Sequence, residues 1–414
     1  MNYSVAVIGA GISGLSVAHL LTDRGDTVKI FEKESVPGGL IRCRRVEGSL
    51  FHICGGHVFN TRNQAVMQWF WQHFKEEEFV KRDRNSAIWF DGGKIVPYPV
   101  ENYVYLLDEQ TQKAVIEDFL EMARGGASEA ANFEDFLKQR FGKTLYELYF
   151  RPYNEKVWMR DLRQVPLSWL EGKLPMPTVS EMIYNNMNHV AEKQFVHSTF
   201  WYEQNGGSQF LANRLAEGLD IVYGSSIDAI EHREGKWWIL GEAFDRIVFC
   251  GNIKDMVKLV RGVDVQSFVP AIDRLEYHGT TAVFCEVEEN PFTWIYQPSR
   301  AYRSHRIICT GNFSETNNGA GKNTATIEFT DAISEGEIRS ELMKIPFSPK
   351  YLTHHYSKYS YPIQDASTRS MIQSLKGELK QHGFYFTGRF ADWEYYNMDV
   401  AIAAAMNTVA GMPL

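Results

Sequence analysis

An α/β fold in which one discontinuous unit carries two insertions is what this sequence predicts, on three observations. YSVAVIGAGISGLSVAHLL, at 3–21, reads as a buried strand, a glycine turn and an amphipathic helix. The pattern becomes mostly helical from about Glu101 to Lys193, then gives way to short alternating segments. VAIAAAMNTVAG closes the chain as a helix again. The order α/β, helical, α/β, β, α/β implies that separate segments complete one layered unit. That unit is expected at 1–97, 198–265 and 355–414, with a mainly helical insertion at 98–197 and an antiparallel β-sheet insertion at 266–354.

The elements follow in order. TVKIFEK is a second strand, ending at Glu32. EDFLEMARG, FEDFLKQRF and TLYELYF place apolar residues three and four apart, the helical period. Gly206-Gly207 opens the helical run SQFLANRLAEGL. IVYGSSIDAIE, KWWILG and RIVFCG alternate as strands, and TAVFCEVEE, RIICTGNF and TATIEFT read as strands of a further sheet. SETNNGAGKN, at 314–323, is the loop expected to be most mobile; its lysine lacks the following Ser/Thr of a phosphate loop.

Composition narrows the function. The 414 residues suffice for two or three packed units, and 44% apolar with 23% charged residues is ordinary for a globular chain. A net charge of -8 disfavours nucleic acid and anionic membranes as partners. Five scattered cysteines without a CxxC pair suit a reducing compartment and speak against dithiol exchange. No basic leader and no run of about 18 apolar residues is read, so a cytoplasmic location is expected. His52, Cys54 and His57 match no zinc spacing, and no metal is expected.

Chemistry begins at the glycine turn. Gly9-x-Gly11-x-x-Gly14 lies between strand and helix, and Glu32 ends the next strand at the distance expected of a ribose-binding acid. Glycines let the backbone approach a pyrophosphate, and the helix N-terminus attracts its charge. This is a Rossmann-like dinucleotide site, and no second GxGxxG provides a separate NADPH domain. Pro37-Gly38-Gly39-Leu40, Gly206-Gly207 and Gly388-Arg389 before the last helix resemble the glutathione-reductase-type FAD fold, in its amine-oxidase and porphyrinogen-oxidase branch. The resemblance implies FAD held by Gly9, Gly11, Ile12, Ser13, Gly14, Glu32, Lys33, Gly38, Gly39, Leu40, Gly388, Arg389 and Met398. The Gly55-Gly56 pair would let backbone lie flat against a planar ring, with His57 and Val58 beside it and His57 suited to respond to charge.

YFRPYNEKVWMRDL, at 149–162, sets tyrosines, cations, an amide and a tryptophan together around one proline. RPYNEKVW resembles the RPYN-x-KVW motif of UDP-galactopyranose mutases, in its eukaryotic-type form. Gly55–Phe59 is similar to their GGHV segment, Val96–Pro99 to VPYP, and Gln204-x-Gly206-Gly207 to QxGG. Trp294-x-Tyr296, Tyr302-Arg303, Tyr361-Pro362 and Gly388-Arg389-Phe390-x-x-Trp393-x-Tyr395 follow in the family's order. The resemblance implies an isomerase in which N5 of reduced FAD attacks the anomeric carbon of a nucleotide sugar, exchanging pyranose and furanose with no net redox change. It assigns Arg303 as diphosphate clamp and, with His57, as catalytic residue; Tyr296, Tyr361 and Tyr395 bond the diphosphate. Asn154 and Trp158, four apart on a helix, line the sugar cleft, and Tyr98 and Tyr149 contact the nucleoside. Arg151 and Lys156 are expected on the helix surface or in salt bridges.

Two departures bear on substrate. Where the family has arginine in W-x-E-x-R, Lys173 keeps the charge without the fork. Where it has a base-contacting glutamine, Glu101 only accepts when ionised. The expected partners are a nucleotide sugar and a reductant such as NAD(P)H or a reductase; homo-oligomers stay open. Two other readings stand beside this one: an oxidoreductase of the amine-oxidase or protoporphyrinogen-oxidase type, and a non-catalytic FAD-binding relative that recognises a sugar nucleotide.

Overall fold

The structure, a computed structural model, describes residues 2–125, 129–167, 177–190 and 198–413. Strand β1 (Ser4–Ile8) feeds helix α1 (Ile12–Asp23), which returns to strand β2 (Thr27–Phe31) parallel to β1. Helical crossovers of this kind bury both faces of a parallel sheet, and Val5, Ala6 and Val7 are fully buried. Arg246–Phe249 and Phe384–Phe386 extend the sheet beyond β1, and Asp220–Val222 extends it beyond β2, all in parallel. Five strands from distant segments thus complete one sheet. The last helix, Met398–Ala410, packs on α1.

A mixed seven-stranded sheet runs in the order Lys350–Ile363, Glu276–Glu286, Thr324–Thr330, Arg306–Ile308, Trp294–Tyr296, Ser86–Trp89, Ile95–Pro97. Its neighbours are antiparallel except where Trp294–Tyr296 meets Ser86–Trp89. The breaks expected after residues 97 and 354 therefore meet this sheet differently from the pattern read in sequence. Residues 86–97 join it through Trp294–Tyr296, and Lys350–Ile363 is one continuous strand across residue 354.

The helical region comprises Glu109–Arg124, Phe133–Phe141, Arg151–Trp158 and Val179–Asn188 as its longer helices. Asp108, Asn132 and Thr178 cap three of them by accepting backbone N–H bonds, and Phe133, Leu137, Phe141 and Leu145 form their dry centre. The loop at 314–323 is pinned rather than free. Asn317 is fully buried and donates to the Tyr202 hydroxyl and the Thr310 carbonyl, while the Gly319 N–H donates to Ser49. Its polar residues satisfy buried partners, which composition alone does not reveal. Among the described residues no helix is long and apolar enough to cross a membrane.

Candidate functional site

The glycine turn is shaped by close packing. A Cβ on Gly14 would come 1.9 Å from the Gly9 carbonyl oxygen, so only glycine lets α1 sit this tightly on the turn. A Cβ on Gly11 would meet nothing within 4 Å, leaving open space at the helix N-terminus. Gly38 and Gly39 close one side of that space: Gly38 bridges Gly11, and the Gly38 N–H donates to the Ala10 carbonyl at 2.8 Å. Gly388 closes another, its missing Cβ only 3.1 Å from the Ser13 hydroxyl. Glu32 is buried just past β2 and accepts the Ala10 and Glu34 N–H groups at 2.6 and 2.9 Å. A carboxylate so fixed beside an open cradle of backbone fits the ribose and pyrophosphate of a dinucleotide such as FAD. Lys33 is exposed, Leu40 packs half-buried on the core, and Met398 is buried at the start of the last helix.

Gly55–Val58 forms a second wall. Gly56 is pressed against Ile308 and Trp294, where a Cβ would come 2.8 Å from the isoleucine. Val58 packs with Phe200, Tyr202 and Trp294. His57 Nε2 is buried without a hydrogen bond, and burial, helped by the Arg389 charge, lowers its pKa to about 4. His57 is therefore a neutral imidazole at pH 7. His52 belongs to the scaffold: its Nε2 meets the Tyr202 hydroxyl at 2.8 Å, its Nδ1 accepts the His57 N–H, and burial lowers its pKa to about 3.

Beyond this wall lies a cluster of half-buried aromatic hydroxyls around one guanidinium. Arg306 donates to the Tyr361 hydroxyl at 3.2 Å and, through Nε, to Glu328. Tyr361 stacks on Tyr395 at 5.2 Å between ring centres, and the Arg389 guanidinium lies over Tyr395 at 4.4 Å. Tyr153 is 5.4 Å from Tyr296, which is 4.9 Å from Tyr98. Burial raises the pKa of Tyr98, Tyr149, Tyr153 and Tyr361, so all four remain protonated donors. A π-helical turn, Tyr146–Phe150, leads into Arg151–Trp158 and stacks Tyr149 on Tyr153 at 5.6 Å.

The structure thus joins Tyr98, Tyr149, Tyr296, Tyr361 and Tyr395 through ring contacts and charge, but Arg303 stands elsewhere. Its guanidinium is half exposed and pairs with Glu337 at 2.7 Å, while its N–H donates to Glu341. The side chain turns toward the helix Glu335–Leu342, whose acids hold it outside the tyrosine cluster. Arg306, three residues on, is the arginine that lies among the tyrosines. An alternation count from the strand RIICTG would have found it, because Arg306 heads that strand on the face of Ile308.

Asn154 is buried and donates to the Phe150 carbonyl at 2.7 Å; Trp158 is 2% exposed. Trp158 and Tyr395 share a small cavity with Arg160 and Gln364. Lys156 is neither surface nor salt-bridged: it donates to the Gln297 and Ser304 carbonyls at 2.7 and 3.0 Å, tying its helix to the sheet. Arg151 pairs with Glu147 and Glu155 on the helix surface. Glu101 is buried, and its charge acts on both Tyr98 and Tyr149. Lys173 lies outside the described residues. Sequence reasoning missed Arg84, which donates to the Tyr296 hydroxyl at 2.7 Å and lies 4.3 Å over Trp294. It also missed Tyr153, which stands inside the RPYN motif, Arg306, which strand alternation would have marked, and Glu328, which only its buried setting marks.

The chain is similar over its whole length to curated mutases. A probable UDP-galactopyranose mutase of Klebsiella pneumoniae is 28% identical, the match covering 98% of this chain and 94% of that one. A dTDP-fucopyranose mutase of Escherichia coli is 22% identical over 97% and 96%. An L-amino-acid oxidase of Siganus canaliculatus is 23% identical but covers only 52% of this chain and 41% of the oxidase. Among solved structures, reduced UDP-galactopyranose mutase superposes with a TM-score of 0.88 at 22% identity, covering 99% of this chain and 95% of that one. The family described as "Flavin containing amine oxidoreductase" matches residues 12–412, from the start of α1 to just past the last helix. With that match and the cradle around Gly11, the chain belongs to the flavin-containing amine oxidoreductase family, and its cofactor is FAD.

Proposed function

We propose that this chain is a flavin-dependent mutase that interconverts the pyranose and furanose forms of a nucleotide sugar, UDP-galactose or a close relative. The observation that carries the reading is the Arg306–Tyr361–Tyr395 cluster, a cation on the protonated Tyr361 hydroxyl and its stacked partner Tyr395, joined to Gly55 through Glu328. FAD of the glutathione-reductase type, held by the Gly9–Gly14 turn, Glu32 and Gly388 and once reduced, would supply a nucleophile for the anomeric carbon.

The chain's own residues must hold that diphosphate so that it departs and returns. Arg306 presents a fork to the phosphates, and Tyr361 and Tyr153 donate from neutral hydroxyls, which suits a dianion. Arg84, with Tyr296, brings a second cation to the same wall. His57, neutral and with an unused buried nitrogen, would take a proton contact at the flavin edge. Asn154 and Trp158 would bound the sugar. Glu101, near Tyr98 and Tyr149, would accept from the N3–H of a pyrimidine, an edge that uracil and thymine share. The dTDP-fucopyranose mutase relative supports testing both bases.

The reading also includes an electron donor such as NAD(P)H or a reductase, and a cytoplasmic site suited to five free cysteines. The experiment is turnover of UDP- and dTDP-linked galactose and fucose by dithionite-reduced holoprotein, followed by product chromatography. Interconversion without net electron consumption is expected. No conversion of any of these sugars by flavin-loaded, reduced protein would overturn the reading, and stoichiometric oxygen uptake with a substrate would favour an oxidase instead.

A further inference from the structure

Glu328 is a carboxylate with no solvent exposure at the middle of the seven-stranded sheet, and its two oxygens face different machinery. One, Oε1, accepts the Gly55 N–H at 2.8 Å. The other, Oε2, accepts from Arg306 Nε and lies 3.6 Å from His305 Nε2. Burial alone would raise its pKa, but the Arg306 charge and His305 overcome this and hold the carboxyl well below the usual range. The side chain is therefore ionised and accepts on both sides at once. Arg306 in turn reaches Tyr361, and Gly55 is two residues from His57.

We infer that Glu328 is a positioning residue that couples the anion clamp to the flavin-side turn. This rests on the proposed reading, in which Arg306 holds a diphosphate and Gly55–Val58 faces the flavin. A phosphate that draws on Arg306 competes with Glu328 for the same guanidinium. Any shift of the carboxylate is felt at the Gly55 N–H, because that bond is made by the same rigid group. Binding of a nucleoside diphosphate and the redox state of the flavin are then linked through one side chain, and linkage requires the effect to be reciprocal.

The carboxylate is required for a chemical reason. Ionised glutamate accepts with both oxygens, whereas an amide accepts with one side and donates with the other. Glu328→Gln keeps the volume yet must set its NH2 against either Arg306 Nε–H or Gly55 N–H, so one of the two bonds is lost whichever way the amide turns.

The test uses FAD-loaded holoenzyme and UDP. UDP affinity is measured for the oxidised and reduced forms, and the flavin midpoint potential with and without UDP. Wild type is expected to show different affinities in the two forms, with a matching shift in potential. In Glu328→Gln the ratio of the two affinities should collapse at least about fivefold toward one while FAD content is retained. Glu328→Asp, which keeps two acceptors, should preserve part of the ratio. A merely structural role would lower stability and leave the ratio intact. If Glu328→Gln yields no folded holoenzyme, Arg306→Lys cuts the same link from the other side and should collapse the ratio too. A wild-type ratio of one, or an unchanged ratio in the variant that folds, would overturn the inference. Sugar turnover is measured separately: if UDP binds with the expected linkage but no nucleotide sugar is converted, the proposed function fails and the coupling stands.

Discussion

Arg303 and Arg306 are chemically identical and three residues apart, so their surroundings decide which one can hold an anion. Arg303 already has Glu337 in water, where an exposed pair contributes little and is easily replaced. Arg306 is largely withdrawn from water and set among Tyr361, Tyr153 and Tyr395, with Glu328 as its ion partner. Arg306→Ala should weaken UDP binding to the reduced protein by about 2–5 kcal/mol, the range for losing a buried charged contact. Arg303→Ala should leave it within about threefold, as for a rim charge. Titration calorimetry of both variants checks this, and a larger loss from Arg303→Ala would reverse the assignment. The glycine cradle offers a second pair of like substitutions. Gly14→Ala drives a methyl into the Gly9 carbonyl and should destabilise the apoprotein itself. Gly11→Ala meets no protein atom, so the apoprotein should melt as wild type does while FAD content falls. Thermal denaturation and bound-flavin absorbance on both variants separate the two effects.

At the scale of elements, the Arg151–Trp158 helix shows how a segment with mixed demands finds one conformation. Its outer face spends Arg151 on two acids, and its inner face buries Asn154 and Trp158. Lys156 is the tie to the sheet, and burial lowers its pKa to about 7 against an ordinary 10.5. A folded pKa below the unfolded one means that, between those values, the unfolded chain binds a proton the folded chain does not. Stability from this group must therefore rise as pH goes from 7 toward 10, and a neutral amine still has two hydrogens for the Gln297 and Ser304 carbonyls. Lys156→Met should lower the urea midpoint at both pH values and flatten its rise between pH 7 and 9.5. A parallel rise in the variant would assign the pH effect to other groups. The same helix marks what sequence could supply. Periodicity predicts the helix, and the RPYN motif predicts its importance, because both are local. That Lys156 turns inward depends on carbonyls some 140 positions away, and that Arg306 rather than Arg303 enters the cluster depends on where a strand begins. Pairing across distant segments is decided by packing, which a single sequence does not print. The strand Lys350–Ile363 was hidden for a related reason: its polar, half-buried residues mask the alternation expected of a strand.

On the scale of the whole molecule, the proposed clamp draws on segments that meet only when the fold is complete. Gly55 comes from the region after β2, Arg84 precedes a strand of the large sheet, Tyr153 lies on the helical insertion, and Arg306 and Tyr361 lie on two other strands. A nucleoside diphosphate seated there would contact the sheet and the helical region at once. Any ligand that binds only the native state stabilises it by RT ln(1 + [L]/Kd), about 2.7 kcal/mol at a hundredfold excess over Kd. For a chain of this length that corresponds to a rise in Tm of about 3 °C. If the site bridges both regions, UDP should raise every unfolding transition of the reduced holoprotein together, including any in which the helical region melts first. The rise should vanish in Arg306→Ala, which removes the clamp, and persist in Arg303→Ala. Calorimetry with flavin fluorescence to report the FAD region, and protease cleavage within 98–197 to report the helical one, measures both responses. UDP protection confined to the FAD region would show that the helical insertion does not share the ligand and would move the nucleotide site off Tyr149 and Tyr153.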